Sequence, residues 1–355
     1  MLIVEAREGV EQMTTAPLGA RHQEVLKAVI QDHILTAEPI GSRFLSRRYD
    51  FQLGPASIRN LMADLEEMGL LSQPHTSAGR VPTDLGYRIY VDSLMEPESV
   101  RPAEAQRIRE GIAGLPAEAE EALRETSRRL AALTHYTCLV MAPRFEQETF
   151  RRIEFVDVGL ERLLVVFVSS AGLVHQKVVG LQEPVSAEEL GRISRYLNDV
   201  LEGKTLSELR AFVLSRMAEE KTLYDRLLAR ALSLAQKALE GEEAEVFLDG
   251  AAHFASQPEF ADVAKMRVLF AAFEEKSKLV RILDACLRNA EVTVVIGCEA
   301  QVPGLAGVSV IASPYRAGGA IVGAVGLLGP TRMPYARMIP LVAYTAQAVS
   351  QALGG

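Results

Sequence analysis

The chain has 355 residues, 48% of them hydrophobic and 24% charged, with a formal net charge of −8. That length fits two or three domains of roughly 150 residues each, and the apolar content is enough to fill their cores. The acidic balance argues mildly against nucleic acid as a partner, and no apolar run reaches the roughly 18–20 residues that span a bilayer.

Met1–Gly19 shows no periodicity. It reads either as a disordered N-terminal extension or as a stretch ahead of a true start at Met13. Glu5, Glu8 and Glu11 interrupt it and no basic region opens it, so it is not a signal peptide, and the cytoplasm is the expected compartment. Ala20–Thr36 reads as a helix with Val25, Leu26, Val29, Ile30, His33 and Ile34 along one side. Pro39-Ile40-Gly41 breaks it. Ser42–Tyr49 is a short helix carrying Arg43, Arg47 and Arg48, and Asp50–Gly54 makes the turn into the next element.

That element, residues 55–68, is the best marked in the chain. Ile58, Leu61, Met62, Leu65 and Met68 fall on one side at 3.6 residues per turn. Gly54 can cap it, Pro55 suits a first helical position that needs no N–H, and Gly69 can end it in the left-handed conformation. The opposite face carries Ala56, Ser57, Arg59, Asn60 and Ala63, small or hydrogen-bonding groups that can lie in a DNA major groove. On periodicity alone the stretch reads equally well as an ordinary surface helix; the two helices before it weigh the other way. Residues 72–80, Ser-Gln-Pro-His-Thr-Ser-Ala-Gly-Arg, are polar and turn-rich, and fit a hairpin held against the helix. Arg80 and the hydroxyl residues there are placed to meet phosphates. Thr83 is the expected N-cap of a following helix, with Asp84 in its first turn. Three helices, a tight turn and a hairpin make a winged helix-turn-helix.

The segment from Pro39 to Thr83 is nearly neutral, because Arg43, Arg47, Arg48, Arg59 and Arg80 face Asp50, Asp64, Glu66 and Glu67. DNA affinity should therefore rest on local geometry and dimerisation, not on bulk charge. The expected DNA-binding residues are Ser42, Arg43 and Arg47 on the second helix, Ala56, Ser57, Arg59, Asn60 and Ala63 on the third, and His75, Thr76, Ser77 and Arg80 in the hairpin.

PIGSRFL (39–45), PASIRNLMADLEEMGLL (55–71), QPHTSAGRVPTDLGYRIYVD (73–92) and GPTRMPY (329–335) resemble the heat-inducible transcription repressor HrcA family. The likeness runs over nearly the whole chain from about residue 20. It implies a dimeric repressor of chaperone operons, bound to an inverted-repeat DNA operator and kept active by the GroEL chaperonin.

Residues 20–95 form the expected winged domain and 96–102, with two prolines and no core residues, a linker. Helical sequence over 103–133, broken at 114–116, leads into strands at 135–142, 152–158, 162–169 and 173–179, then a helix at 187–201. Further strands at 291–296, 308–312 and 320–327 precede a closing helix from about 333 to 353. A sheet split this way, with helices on one side, suggests a GAF-like α+β domain over 103–202 and 251–355, which the resemblance also implies. Between the halves, 203–250 carries two apolar stripes, Leu206, Leu209, Val213 and Met217, then Leu223, Leu227, Ala231 and Leu234. They read either as helices packed on the sheet or as an inserted, mainly helical dimerisation domain. The second resembles the family arrangement and makes Leu206, Leu209, Val213, Leu223 and Leu227 the expected dimer contacts. A helix over 259–288 returns the chain to the sheet.

No cofactor, metal site or catalytic set is expected. Cys138, Cys286 and Cys298 sit in apolar contexts and read as buried thiols of a reducing compartment. Residues 317–329, rich in glycine, lack the Lys-Ser/Thr of a P-loop and read as a buried strand with close backbone packing. Thr331 is the expected cap of the last helix, and Arg332 reads either as an interaction site or, in preference, as a structural ion pair. The fold class is α+β, and the function a sequence-specific repressor; the alternative is a metabolite-sensing regulator using the GAF-like domain. The aliphatic character of its strands argues for a structural or partner-binding role.

Overall fold

The computed structural model describes residues 18–113, 119–143, 149–170, 174–181, 185–201, 203–205, 208, 246–287, 291–300, 302, 304–317 and 319–353. The fold is mixed α and β. Helix α1, Ala20–Thr36, buries Val25, Leu26, Val29 and Ile30, the stripe its spacing predicts. Helix α2 spans Ser42–Arg48 and α3 spans Pro55–Glu67. Gly54 precedes α3 in extended conformation and Pro55 opens it. Gly69 closes it at φ 73°, and the Leu70 N–H donates to Leu65 O at 2.9 Å, which caps the last carbonyls.

Strands β1, Leu71–Ser72, and β2, Val81–Pro82, pair antiparallel and form a hairpin. Gly79 lets the hairpin close on the α1–α2 break: a methyl there would collide with the Ile40 backbone, and Ile40 and Arg80 exchange N–H to O bonds of 2.9 and 2.8 Å. Helix α4, Asp84–Ile89, is capped by Thr83, whose hydroxyl accepts the Gly86 N–H at 3.1 Å, as expected. A single wide turn, Tyr90–Leu94, continues it. The expected linker does not hang free, because the Glu98 N–H donates to Ala336 O at 2.8 Å.

Helices α5, Pro102–Ala113, and α6, Ala119–Thr134, lead to β3, Thr137–Met141. Strands β4, Phe150–Gly159, β5, Arg162–Ser169, and β6, Val174–Gly180, are followed by α7, Ala187–Leu201. Then come β7, Val246–Asp249, α8, Val263–Glu274, α9, Lys276–Leu287, β8, Thr293–Val295, β9, Val308–Ala317, β10, Ala320–Pro330, and α10, Tyr335–Ala352.

The sequence reading puts all strands in one split sheet with helices on one side, and the structure departs from it on both counts. A five-stranded antiparallel sheet runs in the order β7-β3-β10-β9-β8, while β4-β5-β6 form a separate three-stranded sheet. The cause is edge occupancy. β3 has β10 on one side and β7 on the other, so the next strand in sequence cannot join it. β7 falls inside the stretch assigned to the insertion, yet it belongs to the main sheet. The residues after α7 return beside β4, with the Phe150 N–H donating to Lys204 O at 2.8 Å. Asn198 of α7 ties that helix to β4 by accepting the Ile153 N–H at 2.8 Å.

Helices cover both faces of the main sheet. Cys138, Val140, Ile311, Tyr315 and Val325 pack with Leu341, Val342 and Val349 of α10, whereas Leu139, Met141, Val310 and Leu328 pack with Leu269 of α8 and Leu283 of α9. Double coverage explains why β3 is apolar without alternation. β10 is the close-packed glycine strand its composition predicts: a methyl on Gly323 would strike the Tyr315 hydroxyl and Met141 O. The expected helix over 259–288 breaks at Glu275 into α8 and α9. Thr331 does not cap the last helix, which begins after Pro334; its carbonyl instead accepts the Tyr335 hydroxyl at 2.8 Å. Cys138 and Cys286 are buried as expected, but Cys298 is exposed on a short turn over Gly297–Ala300.

Candidate nucleic-acid interface

Helix α3 separates its residues as the spacing predicts except at Met68, which is expected on the buried side and is 52% exposed at the helix end. Ile58, Met62 and Leu65 are buried, Ala56, Ser57, Arg59 and Asn60 are exposed, and Ala63 is half-buried. The exposed face holds one cation, one amide and small groups, with no bulky aliphatic side chain to obstruct a groove. Its acids lie elsewhere. Asp64 turns toward α1, where its carboxylate sits 3.2 Å from His22 Nε2, and Glu66 lies 2.7 Å from Arg80 Nε. Two of the three acids late in α3 thus have partners within the module, while Glu67 stays exposed.

The expected contacts divide. Arg43, Arg47, Arg59 and Asn60 are exposed, and the three guanidinium groups have no ion-pair partner among the described residues. His75, Thr76 and Ser77 form an exposed hairpin tip. Gln73 holds that tip in shape by donating to Thr76 O at 3.0 Å and Ala78 O at 2.9 Å. Two of the expected contacts are turned inward. Ser42 is only 9% exposed, because it is the first residue of α2 and turns inward. Arg80 is engaged by Glu66 and by its backbone pairing with Ile40, and its side chain is 17% exposed. It fastens the hairpin to α3.

Arg48 is also committed inward. Its Nε lies 2.9 Å from Asp32 Oδ1, a carboxylate with no exposed surface, and its guanidinium lies 5.8 Å from the Phe44 ring. Neither Asp32 nor His22 carries a local sequence signal for these roles, since each partner lies on another helix.

The module is seated on the sheet body. His33 Nδ1 of α1 lies 2.7 Å from the Tyr87 hydroxyl, and Arg332 reaches from the end of β10 to Glu259, to Gln257 Oε1 at 2.8 Å and to Ile34 O at 3.4 Å. Arg332 is therefore the structural ion pair its context predicts. Burial lowers the His33 pKa, with Glu259 opposing that shift and Arg332 adding to it. Burial also holds the Tyr87 hydroxyl well above the usual tyrosine range. The expected dimer contacts Leu206, Leu209, Val213, Leu223 and Leu227 lie outside the described residues.

No described helix is long and apolar enough to cross a membrane. Residues 120–339 match the HrcA protein C terminal domain. The chain is 47% identical over 338 residues to a Heat-inducible transcription repressor HrcA of Geobacter sulfurreducens, covering 95% of this chain and 99% of that one. It is 43% identical over 339 residues to one of Syntrophobacter fumaroxidans, covering 95% and 97%. Among solved structures it is similar to a hypothetical protein, at 23% identity and a TM-score of 0.58 over 95% of this chain and 99% of that one. On the extent of these matches, which run through the helices, hairpin and sheet just described, the chain belongs to the HrcA family of heat-inducible transcription repressors.

Proposed function

We propose that this chain is a homodimeric repressor of heat-shock operons that reads an inverted-repeat DNA operator. Residues 20–95 act as a winged helix-turn-helix, with α3 as the reading helix and the β1–β2 hairpin as the wing. The observation that carries this reading is the exposed face of α3: Ser57, Arg59 and Asn60 stand clear of the body, while Asp64 and Glu66 behind them turn to His22 and Arg80. The names of the relatives support the same role. The five-stranded sheet with α5, α6, α8, α9 and α10 serves as a GAF-like body. Its faces are filled by aliphatic and aromatic side chains, which favours a scaffold over a metabolite sensor.

The unit from about residue 149 to 245 is the inserted dimerisation domain. One face of its small sheet packs on α7; the other presents Val156, Val174 and Val178 at 47%, 63% and 52% exposure. Such an apolar face, together with Leu206, Leu209, Val213, Leu223 and Leu227, suits a self-association surface. Chaperonin dependence follows from slow folding. β3 must wait for β7 and β10, more than a hundred residues later, and apolar edges stay exposed meanwhile.

The testing experiment is a mobility shift with a chaperone-operon promoter fragment. Specific retention by the dimer is expected, and retention of unrelated duplexes equally well would overturn the reading. Heat-treated protein should recover binding poorly alone and well with GroEL and ATP. Full unaided recovery would remove the chaperonin from the scheme.

A further inference from the structure

Besides the Arg332 contact to Ile34 O on α1, the N-terminal module meets the sheet body through one short helix, α4. Arg88 of α4 is 4% exposed, although it is an arginine. Its Nε donates to Glu299 Oε1 at 2.8 Å, its Nη2 donates to the second Glu299 oxygen and to Val294 O at 2.8 Å, and its Nη1 faces Asp92 at 3.2 Å. Glu299 is held in turn by the Ile296 N–H at 2.8 Å. Four residues earlier on the same face, Asp84 accepts the Cys298 N–H at 2.9 Å. Between them, Tyr87 packs against the Tyr335 ring at 6.1 Å, and the Tyr335 hydroxyl lies 2.8 Å from Ser309 Oγ.

The same helix is fastened to the reading helix. The Thr83 hydroxyl that caps α4 donates to Gly69 O at 2.6 Å, and Gly69 is the residue that ends α3. A rigid route therefore runs from the end of α3 through Thr83 and α4 to the edge strand β8. Glycine at 297 permits the close approach, since a methyl there would run into the Asp84 carboxylate. A planar guanidinium bonded to a carboxylate and a carbonyl at once fixes angle as well as distance.

The geometry points to Arg88, with Asp84, as positioning residues that set the angle of the reading helix against the body. In a dimer whose bodies are joined, that angle sets the separation and phase of the two α3 helices. It would thus make the repressor selective for one spacing between operator half-sites. This inference rests on the repressor reading.

The test uses full-length dimer and synthetic duplexes carrying the promoter's inverted repeat, with the spacer natural or altered by one or two base pairs. Arg88→Met/Glu299→Gln removes both charges, so that neither is left buried alone. Asp84→Asn and Gly297→Ala loosen the same seat without touching Arg88. The wild type should prefer the natural spacing. Each variant should lose about tenfold of that preference while keeping its affinity for the altered duplexes, because the contacts of α3 itself are intact. Equal loss on all spacings, or an unchanged preference in the folded variants, overturns the positioning role. Should the double variant fail to fold, Asp84→Asn and Gly297→Ala decide. A wild type that binds no operator at any spacing overturns the repressor reading itself, and that result is distinct.

Discussion

Arg80 Nε lies 2.7 Å from Glu66 Oε2, which joins the hairpin to α3 by an ion pair from the last turn of that helix to the start of β2. An arginine spent on an internal carboxylate releases no counterion when DNA binds. Arg80→Ala should therefore leave the salt dependence of operator binding unchanged. It should cost about 0.5–1 kcal/mol of stability, the worth of a partly exposed pair. Binding isotherms over a salt series, with thermal unfolding alongside, check both.

Arg43 and Arg47 are the contrasting case. Both are exposed and unpaired among the described residues. Replacing either with alanine should weaken binding evenly on operator and random duplex, and lower the salt slope by about one. Variants that change only operator affinity would instead make these side chains base readers.

Arg59→Ala and Asn60→Ala should cost about 1–3 kcal/mol on the operator, the size of one good bidentate base contact, and little on random duplex. Footprinting on the promoter fragment reads the difference. An undisturbed footprint in both would remove α3 from the groove.

Legibility followed the range of each interaction. The ends of α3 are written locally in Gly54, Pro55 and Gly69, and Thr83 announces α4, so these were readable. The split into two sheets was not, because it depends on β7 claiming the free edge of β3 from over a hundred residues away. The exposed polar face of α3 was legible as a stripe of small and hydrogen-bonding residues. The fate of Arg80 was not, since nothing at position 80 announces that Glu66 lies opposite. Cys298 misled for a related reason: the apolar residues before it are β8 core, but the chain turns outward at Gly297.

The open face of the small sheet gives a prediction about assembly. Val156 pairs with Leu164, and Leu164 with Val178, so the three form one row across the sheet. Carboxylates at Val156 and Val178 meet their counterparts if two copies join through this face. Burying them unpaired costs several kcal/mol, of order the whole advantage of a standard interface. Val156→Glu/Val178→Glu should sediment as a folded monomer and bind operator weakly, while a dimer of unchanged strength would place the contact elsewhere in the insertion.

His33 supplies the pH dependence. Burial favours its neutral ring, so its folded pKa lies below the ordinary value of about 6.5. Its neighbours are the Tyr87 hydroxyl, Glu259 and Arg332. Below the ordinary value the unfolded chain takes up a proton that the folded chain resists, and by linkage the fold loses stability. The contribution is thus fully present above about pH 6.5, declines as pH falls through the window down to the folded pKa, and is flat beneath it. His33 Nδ1 shares a hydrogen bond with the Tyr87 hydroxyl, and α4 carries both Tyr87 and the Arg88 contact to the body. Loss on acidification should therefore fall first on the seating of the module. His33→Gln keeps a hydrogen-bonding side chain and cannot titrate. Its melting temperature should fall less than that of wild type between about pH 7 and pH 5, and its operator affinity should weaken less over the same range. Parallel pH profiles for the two proteins would show that the titrating group lies elsewhere.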